Sequence, residues 1–303
     1  MSAAPSPSAD TPDAVGVPAT GGAGPGRVAA GRGGLRLPFA GWLGLVVVVF
    51  WILVAVFGPW LAPHPVGAMI SQDVFDPVSR AFPLGSDYLG RDMLSRMLFG
   101  TRFSVGLALA AALLASGTGI ALALWAAVGG RLVDELVSRF MDTMISVPSK
   151  IFALVMVAAF GSSVPLLLLT AAITYVPGAF RIARALAVQI AALDYVQSAR
   201  ARGETRLAIA VAEILPNLRA PMLADFGVRF VFIVLLLAGL SFLGLGVQPP
   251  DADLGSLVRE NLGGLSEAAP AVLVPAFSIA SLTIGVNLLI DSLPGAGDRA
   301  GRG

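Results

Sequence analysis

The sequence predicts an all-α integral membrane protein with about six transmembrane helices. Only 13% of the 303 residues are charged and 56% are hydrophobic, with a mean hydropathy of +0.83. Soluble domains average about 25% charged residues, so this chain lacks the polar coat that a water-exposed surface needs. Several uncharged stretches are also long enough to cross a bilayer. These two observations predict the fold class.

The first predicted span follows a polar N-terminal segment. Residues 1–38 are rich in Ala, Pro, Gly and Ser without apolar periodicity, which predicts a disordered cytoplasmic tail. The run Phe39–Trp60 then covers about 33 Å as a helix, enough for a bilayer core of about 30 Å. A signal-peptide apolar region has roughly 7–15 residues. We therefore expect an uncleaved first span.

Five further spans follow from the remaining apolar runs. The third must reach back through Pro148, because the apolar run after that proline is too short alone. A Gly-Ser-Ser linker predicts a tight hairpin between the third and fourth. The five runs are Phe103–Val128, Met141–Phe160, Val164–Phe180, Met222–Leu243 and Ala271–Leu289. The predicted membrane domain covers residues 39–295, and residues 296–303 form a short cytoplasmic tail.

The basic residues predict the orientation. With the N-terminus in the cytoplasm, 14 of the 20 Lys and Arg residues fall inside and 5 outside, while Arg229 lies within the fifth span. This predicts a multi-pass membrane protein with both termini in the cytoplasm. Four outside arginines crowd the loop before the second span and run against the rule, namely Arg80, Arg91, Arg96 and Arg102.

The loop 181–220 between the fourth and fifth spans is the most informative polar segment. Val196, Ala199 and Gly203 share one helical face, and Gly203 permits a sharp turn. A second helix is predicted with one face formed by Leu207, Val211 and Ile214, ending near Pro216. From the residues alone, this helix pair fits an amphipathic hairpin on anionic lipid.

The same loop resembles a known signature. The run Gln197-Ser198-Ala199-Arg200-Ala201-Arg202-Gly203, followed by Ile214-Leu215-Pro216-Asn217, is similar to the "EAA" motif of bacterial ABC-importer permeases. Gly203 and the Leu-Pro pair match at the family spacing. Gln197 and Ser198 replace the usual Glu and first Ala, and Glu213 stands where the family has Ile.

Two further segments narrow the resemblance to dipeptide and oligopeptide permeases. Pro83–Asp92, which precedes the second span, resembles the corresponding segment of that subfamily. Ser241–Pro250 resembles the outer end of its fifth span, although Leu254 replaces the usual Trp. With its long N-terminal tail, the chain resembles the second, "C-type" permease of the pair.

The resemblance implies a type I ABC-importer permease fold with a cytoplasmic coupling helix. It assigns ATPase coupling to Gln197, Ser198, Ala199, Arg202, Gly203, Leu215 and Pro216, with Gly203 setting the turn and Ala199 making the closest contact. The implied partners are a homologous permease, one or two ATPase subunits, an extracytoplasmic peptide-binding protein and membrane lipid. Di- or oligopeptides are the implied cargo, with nickel or another small solute as the alternative.

The sequence shows no motif for catalysis, nucleotide binding or metal binding. Lys150 is the sole lysine and has no glycines nearby, so it does not form a P-loop. His64 is the sole histidine and there is no cysteine, which argues against a metal site. We therefore expect a non-catalytic subunit without a bound cofactor, with ATP and Mg²⁺ on the partner ATPases. The net charge of +1 argues against nucleic-acid binding.

Asp225 and Arg229 lie four residues apart on one face of the fifth span. They are either a mutually neutralised structural pair or a polar patch lining the translocation path. Gly117, Gly119 and Gly239 predict close helix packing, with path lining as the alternative.

Two other classes of protein remain as alternatives. A gradient-driven secondary carrier would need acidic residues at the membrane midplane or broken helices in paired repeats, and the sequence has neither clearly. A membrane scaffold without a transport role is the third class.

Overall fold

The computed structural model describes residues 37–80, 82–266 and 269–293, and helices dominate them. Of the two predicted tails, residues 1–36 and 296–303 lie outside the described residues. The helices are α1 Phe39–Leu61, α2 Met93–Gly129, α3 Arg131–Ile145, α4 Ser149–Phe160, α5 Val164–Ala191, α6 Asp194–Ala201, α7 Arg206–Ala208, α8 Leu215–Phe242, α9 Leu254–Asn261 and α10 Ala269–Asp291.

The number of predicted spans is confirmed. Five helical segments are long and apolar enough to cross a membrane: α1, α2, α5, the continuous helix Arg206–Phe242, and Pro270–Asp291 of α10. The bent pair α3 and α4 makes a sixth if the two helices together count as one span. The 37 residues of α2 would measure about 55 Å, so α2 extends beyond a bilayer core of about 30 Å.

The third span is broken, and the prediction of a helix continuing through Pro148 is wrong. Helix α3 ends at Ile145, α4 begins at Ser149, and the two axes differ by 82°. Pro148 disfavours helical backbone at Val147 and supplies no N–H of its own, which favours a break of the helix at this point.

The loop predicted at 181–220 is shorter than expected. Helix α5 continues to Ala191, so residues 181–191, the first eleven of the predicted loop, are helical. The helix predicted to stop near Pro216 does not stop there. Residues Ile209–Ile214 form a π-helical stretch that passes directly into α8, with Pro216 in its first turn. The chain therefore stays helical across Pro216.

Helices α2 and α5 pack along a seam of small residues. Ala108, Ala111 and Ala112 of α2 are fully buried. A Cβ added to Gly119 would lie 2.5 Å from the Ala179 Cβ, so close packing is confirmed there. Gly117 and Gly239 have no described atom within 4 Å of such a Cβ, so they do not pack closely.

Candidate functional site

Helix α6 ends in a turn built on Gly203. The Gly203 N–H donates to the Arg200 carbonyl at 3.0 Å, and the Glu204 N–H donates to the Ala199 carbonyl at 3.2 Å. These two bonds form a Schellman motif, which requires a left-handed residue after the helix. Gly203 has φ +80°, a conformation that a side chain disfavours. The structure thus has Gly203 at the predicted turn.

The inner face of α6 packs on its own chain. Val196 and Ala199 are fully buried, in the same apolar cluster as Ile209, Ala210 and Ile214. Ala199 is therefore covered by this chain's own helices, and the expectation that it makes the closest contact with a partner is wrong for this conformation. The outer face carries Gln197, Ser198, Arg200, Arg202 and Gly203, all exposed.

Gln197 ties α6 to the end of α5. Its Nε2 donates to the Ala191 carbonyl at 2.7 Å, which satisfies one of the carbonyls left free at a helix C-terminus. A glutamate, the usual residue of the resembled motif, has no N–H to donate. The departure from the motif therefore has a local physical reason. Arg202 pairs with Glu204 at 2.6 Å on the exposed surface.

The three residues predicted to share one face of the second helix do not share it. Leu207 and Val211 are 73% and 51% exposed, whereas Ile214 is buried together with Ile209 and Ala210. The π-helical stretch shifts the helical phase, so 3.6-residue spacing picks the wrong side. Leu215 and Pro216 are half-buried at the start of α8. Helix α6 consequently rests on the base of the helix that forms the fifth span.

Asp225 and Arg229 form an ion pair at the middle of α8. The Arg229 Nε donates to Asp225 Oδ2 at 2.7 Å and Nη2 donates to Oδ1 at 2.9 Å. The Arg229 Nη1 also donates to the Tyr175 carbonyl of α5 at 2.9 Å. A Cβ on Gly178 would lie 2.8 Å from Nη1, so a glycine there admits the guanidinium. Both readings of the pair, structural and path-lining, are compatible with this geometry.

A cavity of about 630 Å³ lies where the third span breaks, and Arg229 is part of its lining. The bend at Val147 and Pro148 forms one wall, and α5 forms the other around Tyr175 and Pro177. Its volume lies within the range of about 300–1,000 Å³ that is typical of small-molecule sites. The structure does not bring the α6 turn and this cavity into contact; they are joined through α8.

Sequence reasoning missed a buried charge cluster at the start of α2. Arg96 is 1% exposed, and its Nη1 lies 2.7 Å from Asp87 Oδ2 and 2.8 Å from Glu260 Oε2. Arg91 contacts the same two carboxylates, at 2.6 Å and 3.4 Å. Two of the arginines that run against the charge rule are thus neutralised inside the protein. The only signal in the sequence was that acidic residues alternate with arginines in this loop.

Two family models match the chain. Residues 119–299 match the model described as "Binding-protein-dependent transport system inner membrane component". Residues 40–77 match the model described as "N-terminal TM domain of oligopeptide transport permease C". The first match alone covers more than half of the chain and includes α6, the Gly203 turn and the Asp225–Arg229 pair.

Curated proteins are similar over most of the chain. A putative peptide transport system permease protein of Brucella suis is 33% identical over 83% of this chain and 84% of its own length. The dipeptide transport system permease protein DppC of Haemophilus influenzae is 30% identical over 84% and 89%. The glutathione transport system permease protein GsiD of Pectobacterium atrosepticum is 31% identical over 84% and 85%.

Proposed function

Because this chain belongs to the family of binding-protein-dependent transport system inner membrane components, we propose that it is one permease subunit of an ATP-driven importer of di- or oligopeptides. It would form half of the translocation path in the bacterial cytoplasmic membrane, with both termini in the cytoplasm. Its partners would be a homologous permease, one or two ATPase subunits that bind ATP and Mg²⁺, and an extracytoplasmic peptide-binding protein. The chain itself would hydrolyse nothing and hold no cofactor.

The bracing of α6 on α8 is the observation that supports this proposal most directly. The buried Val196 and Ala199 and the Gln197 hydrogen bond hold α6 on its own chain, while its polar outer face stays open. A partner that moves this outer face would therefore displace the base of α8, and α8 carries Arg229 at its middle. Rigid-body displacement of packed helices is a common way to switch between two states.

Peptide cargo is proposed from the names of the relatives. Two of them are named for peptide or dipeptide transport, and glutathione, named for the third, is itself a peptide derivative. Nickel or another small solute is the alternative cargo. The broken third span is a feature expected of gradient-driven carriers, but family membership favours an ATP-driven system.

A bulky substitution at the α6 turn tests the coupling role. In the complex reconstituted with its partners, Gly203→Trp should abolish substrate-stimulated ATP hydrolysis while the chain stays in the membrane. The indole would stand on the exposed face that we propose contacts the ATPase, where no described atom now lies within 4 Å of an added Cβ.

Gly161→Trp is the matched control, because Gly161 has a similar φ of +91° and equally open surroundings. Gly161 precedes the first residue of α5, whereas α6 follows the last residue of α5. We expect this variant to keep its ATPase stimulation. Full activity of Gly203→Trp would refute the coupling role, and equal loss in both variants would attribute the effect to backbone strain.

Co-purification from native membranes tests the partners: recovery of the chain without an ATPase would contradict the importer assignment.

A further inference from the structure

The cavity at the break of the third span combines largely apolar walls with a few polar side chains. Two arginines, Arg181 and Arg229, line it together with the hydroxyl-bearing residues Thr143, Ser149 and Thr174. By contrast, a groove of about 280 Å³ bounded by α1, α2, α8 and α10 is lined entirely by apolar side chains and glycine. The apolar groove suits lipid chains or a helix surface, whereas the arginine-lined cavity suits water and polar solutes.

The two charged residues that line this cavity are both arginines. Arg181 pairs with Asp142 at 2.9 Å, and Arg229 pairs with Asp225 at 2.7 Å. Asp142 and Asp225 are not among the residues that line the cavity, whereas Arg181 and Arg229 are. An anion entering the cavity would therefore meet two cationic groups before it met their counter-ions, and Coulomb attraction weakens with distance.

Both guanidinium groups keep hydrogen-bond donors for a ligand. A guanidinium has five N–H donors. Arg229 uses one on the Tyr175 carbonyl and two on Asp225. The single hydrogen bond found for Arg181 among the described residues runs from Nη2 to Asp142. Arg181 is also 60% exposed, so an incoming solute can reach it.

The backbone geometry at the break is compatible with water in this cavity. Non-helical backbone at membrane depth is tolerated where it is buried in protein or lines a water-filled cavity. The residues between α3 and α4, with Val147 and Pro148 among them, line this cavity. A guanidinium at the centre of a lipid-facing helix would in addition cost about 2.5–3.5 kcal/mol on insertion scales.

We propose that this cavity is a docking site for the carboxylate group of the transported solute, with Arg181 as its direct ligand and Arg229 supporting it from the cavity wall. The inference rests on the proposed function, because a peptide carries a terminal carboxylate. Arginine suits this task, since its planar fork binds a carboxylate through two parallel hydrogen bonds.

Thiol labelling tests the site without measuring transport. The chain contains no cysteine, so one introduced cysteine is its sole thiol. Thr174→Cys adds a thiol to the cavity, and Thr118→Cys is the matched control on an exposed face of α2. The complete complex in lipid nanodiscs is treated with an anionic or a cationic methanethiosulfonate reagent, and labelling of this chain is followed by mass spectrometry.

We expect Thr174→Cys to react at least tenfold faster with the anionic reagent than with the cationic one, and Thr118→Cys to stay unreactive. Adding Arg181→Gln should remove the preference, and Arg181→Lys should retain it because the charge is kept. Any one of three results would overturn the proposal. The cysteine at position 174 could react no faster than the cysteine at position 118, it could show no preference for the anionic reagent, or its preference could survive Arg181→Gln.

A competition experiment separates this site from the proposed function. Dialanine should slow the labelling of Thr174→Cys at least fivefold, whereas dialaninamide, which lacks the carboxylate, should not. Equal protection by both compounds or by neither would overturn carboxylate docking. The unmodified complex could take up no peptide while the anion preference and the protection by dialanine are both intact. That result would count against the proposed function and leave the docking site supported.

Discussion

Asp253 joins two elements through one buried side chain. Its Oδ1 accepts from the Ser256 N–H at 2.8 Å and caps α9, while its Oδ2 accepts from the Ser241 hydroxyl at the end of α8. The residue is 5% exposed, and burial raises the pKa of the Asp253 carboxyl above its ordinary value. The α8–α9 connection is therefore sensitive to proton binding.

The pH dependence of stability should reveal this carboxyl. An acid with a raised folded-state pKa contributes stability that is fully present below the unfolded-state pKa, about 3.9 for Asp, and is lost as the pH rises through the folded-state pKa. Asp253→Asn carries no titrating group. The melting temperature of the natural complex minus that of the variant should therefore fall as the pH is raised from 4 to 8.

Asp253→Ser, an uncharged residue that also caps helices well, serves as the control and should give the same trend as Asp253→Asn. A melting-temperature difference that stays constant with pH for both variants would show that burial of this carboxylate does not penalise the folded state.

At the residue scale, the sequence reveals backbone requirements better than it reveals neighbours. Gly203 was predicted correctly at its turn because an open left-handed position after a short helix strongly favours glycine. Ala199 was expected to face a partner because it is small. A small residue, however, permits close approach equally well by the chain's own helices, and here Ile209 and Ile214 belong to the cluster that buries it.

At the element scale, the α2–α5 seam allows a matched test of packing. Gly119→Leu should destabilise the protein by several kcal/mol, because its Cβ would stand 2.8 Å from the Phe180 backbone nitrogen and only helix separation could relieve the clash. Gly117→Leu, two residues earlier on the same helix, meets no described atom within 4 Å and should be tolerated.

The melting temperatures of the two purified variants provide the comparison. Because leucine has a higher helix propensity than glycine, the backbone contribution of Gly117→Leu should raise the stability, by up to about 1 kcal/mol. Equal losses of stability would mean that the α2–α5 contact does not set the packing of these helices.

Prolines illustrate why elements are only partly predictable. Pro148 separates α3 from α4, whereas Pro177, Pro216 and Pro221 lie within helical segments. The sequence correctly predicts six spans because apolar length is a local property. The fate of a proline depends on whether nearby helices and side chains satisfy the freed carbonyls, and that information is spread over the whole fold.

At the scale of the whole molecule, the buried charge cluster fastens the segment before α2 to α9. Glu260→Gln would leave Arg91 and Arg96 with Asp87 as their remaining carboxylate partner among the described residues. Breaking a buried pair by removing one partner costs about 3–5 kcal/mol. We expect a clear fall in the melting temperature of the purified complex.

The exposed pair Glu135 and Arg139 provides the control, since its side chains are 45% and 77% exposed. Glu135→Gln should change stability by about 0.2–1 kcal/mol, as is usual for surface pairs. If Glu260→Gln and Glu135→Gln lower the stability equally little, the charge cluster does not hold the segment before α2 to α9.

The arrangement of the site is the least predictable from sequence. Asp225 and Arg229 were found because their four-residue spacing is local. The cavity beside them depends on a bend at Pro148 and on Arg181 of another helix, and the cluster depends on Glu260. No local pattern records such pairings between distant segments.

The long-range partner of Arg96 also has a consequence for how the protein is made. Glu260 is translated 164 residues after Arg96, when α2, α5 and α8 have already been synthesised. Until Glu260 is made, Arg91 and Arg96 lack one of their two carboxylate partners in the cluster. The buried charge cluster can form completely only late in synthesis, and a nascent chain that stops before α9 lacks the glutamate that completes it.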